Sequence, residues 1–232
     1  NHLMVNLIGP WDMAWTWYLQ KVCRRLRQVL PAWIERVATI DATMTLGTFA
    51  YLNPDYVWPK QRENPVGKEV GVLTTEVGHP LLAHKQRVRN NFVLQGIGQM
   101  FLVTGSNMSG KSTFLRTIGI NVCLAQAGAP VCAESWEWSW MRIHSCLRVR
   151  DSLEEGLSYF YAEVKRLKKI LLAVSNQESH PVIFLIDEIF KGTNNRERLL
   201  GSEAFIRELT IGNGLGLLTT HDLELARLEN EL

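Results

Sequence analysis

The chain has 232 residues, of which 46% are hydrophobic and 21% charged, so it is long enough to bury a full core and fits one α/β domain with a smaller appendage. A formal net charge of +2 is too small to announce a nucleic-acid surface, which shows as a dense basic patch. The four cysteines, Cys23, Cys123, Cys132 and Cys146, form no C-x-x-C pair; this pattern predicts reduced thiols in a cytoplasmic setting and excludes both a zinc site and a disulfide frame.

The opening stretch, Leu3 to Leu19, is apolar and carries Trp11, Trp15 and Trp17, but Asn6, Pro10 and Asp12 interrupt it and it is short for a membrane span. It reads as a helix-packing surface, with an interfacial membrane contact as the alternative, since tryptophans gather at lipid headgroups. Residues 13 to about 50 are helical in pattern. Leu19, Val22, Cys23, Leu26, Val29 and Leu30 make one stripe, while Lys21, Arg24, Arg25 and Arg27 lie on the solvated side. Pro31 fits the first turn of a second helix carrying Trp33, Ile34, Val37 and Ile40. Prolines and glycines between Asn53 and Gly78 mark a linker, which divides a helical segment, residues 1–60, from a larger domain, residues 61–232.

Met100 to Val103 reads as a short buried strand, and Gly105, Ser106, Asn107, Met108, Ser109, Gly110, Lys111 and Ser112 follow it in the order G-x-x-x-x-G-K-[ST]. Glycines at both ends let the backbone curl so that N–H groups point at a phosphate. Lys111 supplies a compact positive charge and Ser112 a hydroxyl for Mg²⁺. From Thr113 to Ala127, Phe114, Leu115, Ile118, Val122 and Leu124 recur at helical spacing, with Cys123 among core-like neighbours, so the loop opens onto a helix N-terminus. Val131 to Ala133 and Met141 to Val149 read as strands, and Trp136, Trp138 and Trp140 alternate as if one sheet face packs on something large.

Ser158 to Val174 is a helix in which Ser158 is an ordinary N-cap on sequence grounds, and Phe160, Val164, Leu167, Leu171 and Val174 form its inner face. Val182 to Ile186 is a continuous apolar run, as expected of a central parallel strand buried on both faces, and it ends in Asp187 and Glu188. In an NTPase of this class the first acid holds Mg²⁺ and the second orients the attacking water. Neighbours on a strand point to opposite sides, so the two acids are not redundant. Gly214 to Thr219 is a last strand, and His221 just beyond it can hydrogen-bond a γ-phosphate or the attacking water.

Together these motifs are similar to one family. Thr104 to Thr113 is similar to the T-G-P-N-M-G-G-K-S-T loop of the MutS family of DNA mismatch-repair ATPases, and Gly128 to Ala133 looks like its G-x-x-V-P-A segment. Asp187 to Asn194 matches its D-E-x-x-x-G-T-[ST] loop, Thr219 to His221 its T-H pair, and Asp151 to Glu163 resembles its D-D-L-x-x-G-x-S-T-F-x-x-E signature. Ser106, Ser109, Lys191 and Asn194 depart from that pattern without removing a catalytic group.

The resemblance implies an α/β P-loop NTPase of the ABC/MutS type, with a central, mostly parallel sheet flanked by helices and preceded by a small helical segment. It implies ATP and Mg²⁺ as ligands, and two domains pairing head to tail so that Ser158 of one chain meets the γ-phosphate held by the other. Phe92, near His79 and Pro80, is implied as the residue that stacks on adenine. A DNA-reading domain and a clamp have no counterpart among these residues, so DNA contact is expected through regions absent from this chain. Residues 13 to 50 look like the end of the lever that joins clamp to ATPase. Two rivals remain: a transporter-type ABC ATPase, disfavoured because residues 153–160 do not read L-S-G-G-Q, and a non-hydrolysing scaffold that uses ATP only to dimerise. A MutS-like ATPase working on recombination structures or at a membrane is a third reading.

Overall fold

The computed structural model describes residues 9–63, 69–106, 109–147, 159–176, 180–190, 194–221, 224–225 and 227. Two compact units divide the chain, one ending at Leu52 and the other beginning at Asn53. The break falls before the expected one because Tyr56 and Val57 already join the second unit, Val57 through a bridge to Val131.

The described residues of the first unit form one helix, α1 (Trp11–Leu52, 42 residues), with Pro31 inside it. This corrects the expectation of two helices. An internal proline removes one backbone hydrogen bond and crowds the preceding turn, at about 3 kcal/mol. Yet no capping or turn residue precedes it, and Val22, Leu26, Val29, Trp33, Val37 and Ile40 keep one phase straight through it. None of the described residues of α1 is buried. Its backbone groups are satisfied within its own ladder, and Thr16, Thr39, Thr43, Thr45 and Thr48 each satisfy their hydroxyl by donating to the carbonyl four residues back. No described helix is long and apolar enough to cross a membrane.

The second unit is built on two sheets. Strands β1 (Lys60–Gln61), β2 (Gly71–Val77), β3 (Asn90–Gln95) and β5 (Ser135–Trp138) form a mixed sheet in the order β1-β5-β2-β3, with β2 antiparallel to both neighbours. The stretch expected as a linker thus contains two strands. The alternation of β2 is disguised by a bulge: Val72 and Thr74 face inward, Glu76 takes φ 52, and the register then shifts to bring Val77 inward. Trp136 and Trp138 share one buried face of β5, whereas Trp140 stands half exposed, edge-on to Trp138 at 5.0 Å. At Val131 only an isolated bridge forms where a strand was expected.

The other sheet holds β4 (Met100–Thr104), β6 (Arg142–Cys146), β7 (Val182–Asp187) and β8 (Gly214–Thr220) in the order β4-β8-β7-β6, all parallel. Side chains on a strand alternate between faces, and β7 is buried along its whole length. Ile183 and Leu185, with Leu215 and Leu217 of β8, enter a core shared with α2 (Lys111–Gln126) and the mixed sheet. Phe184 and Ile186, with Leu218, enter a second core against α3 (Tyr159–Ser175) and α4 (Asn195–Ile211). Helices therefore cover both faces. The four cysteines are free, and Cys123, expected in the core, is exposed: it lies about 100° around the helix from buried Val122.

Candidate functional site

The loop after β4 is shaped by its end glycines. Gly105 has φ 146 and Gly110 φ 93, both in the region that favours glycine, and Gly110 caps α2 without any side-chain bond. No acid occupies the first turn of α2, so the free N–H groups of that end keep their attraction for an anion. Lys111 opens the helix with only 9% of its surface exposed. Its ammonium donates to the carbonyls of Gly105 at 2.7 Å and Ser106 at 2.9 Å, folding the side chain back onto the loop that a phosphate would fill.

Parallel pairing of β4 with β8 and of β8 with β7 brings the carboxyl ends of all three strands to the same rim as this loop. Ser112 Oγ donates to Asp187 Oδ1 at 2.8 Å across 75 residues of sequence. Asp187, 6% exposed, accepts a second bond on the same oxygen from Thr219 Oγ1, also at 2.8 Å. Two hard oxygen groups converging in this way suit Mg²⁺, which keeps most of its water and takes one or two protein ligands beside phosphate. Among the described residues no group of three or more His, Cys, Asp or Glu side chains forms an alternative metal site.

Glu188 follows at once, with φ 60, so the chain turns sharply as it leaves the sheet. Its N–H donates to Thr219 Oγ1 at 3.1 Å and to the Thr219 carbonyl at 3.2 Å. Its carboxylate contacts Nε2 of His221. Nδ1 of the same ring lies 3.2 Å from the Gly105 carbonyl and 3.4 Å from the Lys111 ammonium. One imidazole thus touches the acid, the lysine and the loop.

A family description, "MutS domain V", matches residues 101–232. The chain belongs to the MutS family. Residues 101–232 are the ATPase domain of that family, an ABC-type P-loop fold that binds ATP. Over 224 residues the chain is 32% identical to the DNA mismatch repair protein MutS of Chlorobium phaeovibrioides, covering 92% of this chain and 24% of that protein. Over 144 residues it is 35% identical to the endonuclease MutS2 of Thermus thermophilus, 62% of this chain and 18% of that one. MutS protein homolog 4 of Mus musculus is 34% identical over 159 residues, 65% of this chain and 16% of its own length. The MutS-family chain therefore spans about a quarter or less of these relatives.

The structure brings Gly105, Ser106, Ser109, Gly110, Lys111, Ser112, Asp187, Glu188 and His221 to one rim of the parallel sheet, and Thr113 lies in the first turn of α2. Asn107, Met108 and Ser158 lie outside the described residues. Phe92 is placed otherwise than a base-stacking ring requires. It is 8% exposed on β3, with Phe101 and Phe114 each 5.4 Å from its centroid, so it serves the core. Thr219 falls within the T-H match but receives no role there; its role comes from full burial beside Asp187, a partner the local sequence does not show.

Proposed function

We propose that this MutS-family domain hydrolyses ATP with Mg²⁺, and that ATP draws two such domains together while hydrolysis parts them. The observation that carries this reading is the 2.8 Å hydrogen bond from Ser112 to Asp187, which joins the phosphate loop to the acid-bearing strand. Lys111 and the amides at the start of α2 would take the β- and γ-phosphates, the ammonium exchanging its loop carbonyls for phosphate oxygens. Ser112 and Asp187 would hold Mg²⁺, which neutralises charge on the phosphates. Glu188 orients the attacking water and receives its proton, as the new oxygen–phosphorus bond forms and the bond to the β–γ bridging oxygen breaks. His221, which lies against Glu188 and the Gly105 carbonyl, would bond the γ-phosphate and so report its arrival.

Ser158 is assigned to the nucleotide of a second copy, and the residues from Asn53 onward to the ATPase body. α1 is assigned to the end of a lever that carries the nucleotide state to DNA-contacting regions outside this sequence. Relatives named DNA mismatch repair protein MutS, one of them aligned over 92% of the chain, support repair as the setting of the full protein, with a setting like that of MutS2 or homolog 4 as the alternative. Nucleotide binding and phosphate release test the site directly. Lys111→Ala should lose ATP binding, while Glu188→Gln should bind ATP and turn it over slower by roughly two to four powers of ten. Unaltered affinity in the first variant, or normal turnover in the second, contradicts the assignment.

A further inference from the structure

The loop that carries Glu188 is bent against its own preferences. Glu188 has φ 60 and Phe190 φ 56, and two non-glycine residues within three positions adopt the left-handed region only when surrounding contacts hold them there. Three contacts do so. The Glu188 N–H is fixed to Thr219 on β8, Ile189 is 4% exposed in the core beneath α3 and α4, and the Phe190 N–H donates to Glu163 Oε1 at 2.7 Å.

Glu163 is a costly choice for that last contact. It stands on α3 at 2% exposure, where an apolar residue would suit the surrounding core better and a carboxylate must be compensated by hydrogen bonds. A carboxylate accepting from a backbone N–H is a strong, short and directional partner, and it is supplied from an element distant in sequence. The aromatic ring of Phe190 adds packing on Phe205 of α4, but a ring contact at 6.2 Å does not set a backbone dihedral as a hydrogen bond does.

We propose that Glu163 is the positioning residue of the catalytic loop: through the Phe190 N–H it holds the left-handed turn that presents Glu188 at the rim of the phosphate loop. It touches neither nucleotide nor water. The inference rests on the reading of Glu188 as the acid that orients water. Displacing a reacting group by about 1 Å costs around a hundredfold in rate, so loss of this tether acts on turnover and leaves nucleotide affinity alone.

The test compares three variants in the full chain by steady-state phosphate release and by equilibrium ATP binding. Glu163→Met fills the same volume without an acceptor; its kcat should fall about ten- to a hundredfold while Kd for ATP stays within about twofold. Glu163→Gln keeps an oxygen that accepts the Phe190 N–H and should restore most of the lost rate. Wild-type turnover in a folded Glu163→Met, or a Gln variant as slow as Met, overturns the proposal. Glu188→Gln run alongside separates the two layers: impaired Glu188→Gln beside unimpaired Glu163→Met overturns the tether alone, whereas normal Glu188→Gln overturns the site and the tether together. Should the Met variant not fold, amide exchange in the unsubstituted protein decides. The Phe190 N–H should be protected like the amides of β7, and exchange at open-loop rates refutes the tether.

Discussion

Replacing Thr219 by valine preserves the shape of a fully buried side chain and deletes one hydroxyl. That hydroxyl donates to Asp187 Oδ1 at 2.8 Å and accepts the Glu188 N–H at 3.1 Å. A hydrogen bond to an ionised group contributes about 1.5–3 kcal/mol, and the full figure is lost when a partner is orphaned. Here neither partner is. Glu188 N–H still reaches the Thr219 carbonyl at 3.2 Å, and Asp187 still accepts from Ser112 at 2.8 Å. The loss should therefore stay near the lower end, about 2 kcal/mol, which in a domain of this size lowers Tm by about 4–8 °C. Thr219→Ser keeps the hydroxyl and gives up one buried methyl, at about 1 kcal/mol. Urea denaturation at neutral pH, paired with thermal melts, should rank wild type above Ser and Ser above Val. A Val variant as stable as wild type, or one more stable than Ser, would refute the bridging role of Thr219.

Gly110→Ala separates backbone strain from crowding at the phosphate loop, since an added Cβ there meets no atom within 4 Å while φ is 93. The expected cost is about 1–2 kcal/mol of conformational strain, with weakened ATP binding read by titration; a Tm equal to wild type would show that the turn is not needed. The His79 imidazole is held below its ordinary value of 6.5, first by burial and then by the nearby charges of Arg116 and Arg87. The unfolded chain then binds more protons than the folded one in the window beneath 6.5, so this contribution is whole above that value and is lost as pH falls through it. His79→Gln should flatten the pH dependence of Tm below pH 6.5, and an unchanged slope there counts against the shift.

Much of the ATPase domain is legible from local signals. A phosphate loop needs two glycines, a lysine and a hydroxyl within eight residues, and β7 announces itself as an uninterrupted apolar run ending in acids, so short windows suffice. What escapes notice is set by long-range partners. β2 hides because its bulge breaks the alternation, and the proline that signals a break lies inside α1, where the apolar phase from Val22 to Ile40 continues across it. Phe92 shows the opposite limit. A resemblance can nominate a ring by position, but whether its face is free depends on Phe101 and Phe114, which the motif does not contain. Glu163 and Thr219 act through backbone N–H groups of residues far along the chain, and no pattern of neighbouring letters encodes that geometry.

Strand β7 serves as a party wall between two rooms. Its odd-numbered side chains, Ile183 and Leu185, belong to the interior beneath the phosphate-loop helix, and its even-numbered ones, Phe184 and Ile186, to the interior beneath α3 and α4. A change of volume on one side is passed along the strand, because close-packed interiors transmit displacement. A change on the nucleotide side therefore reaches the Glu163 side through the strand whose tip bears Asp187 and through β8, β6 and β4 beside it, which also lend side chains to both rooms.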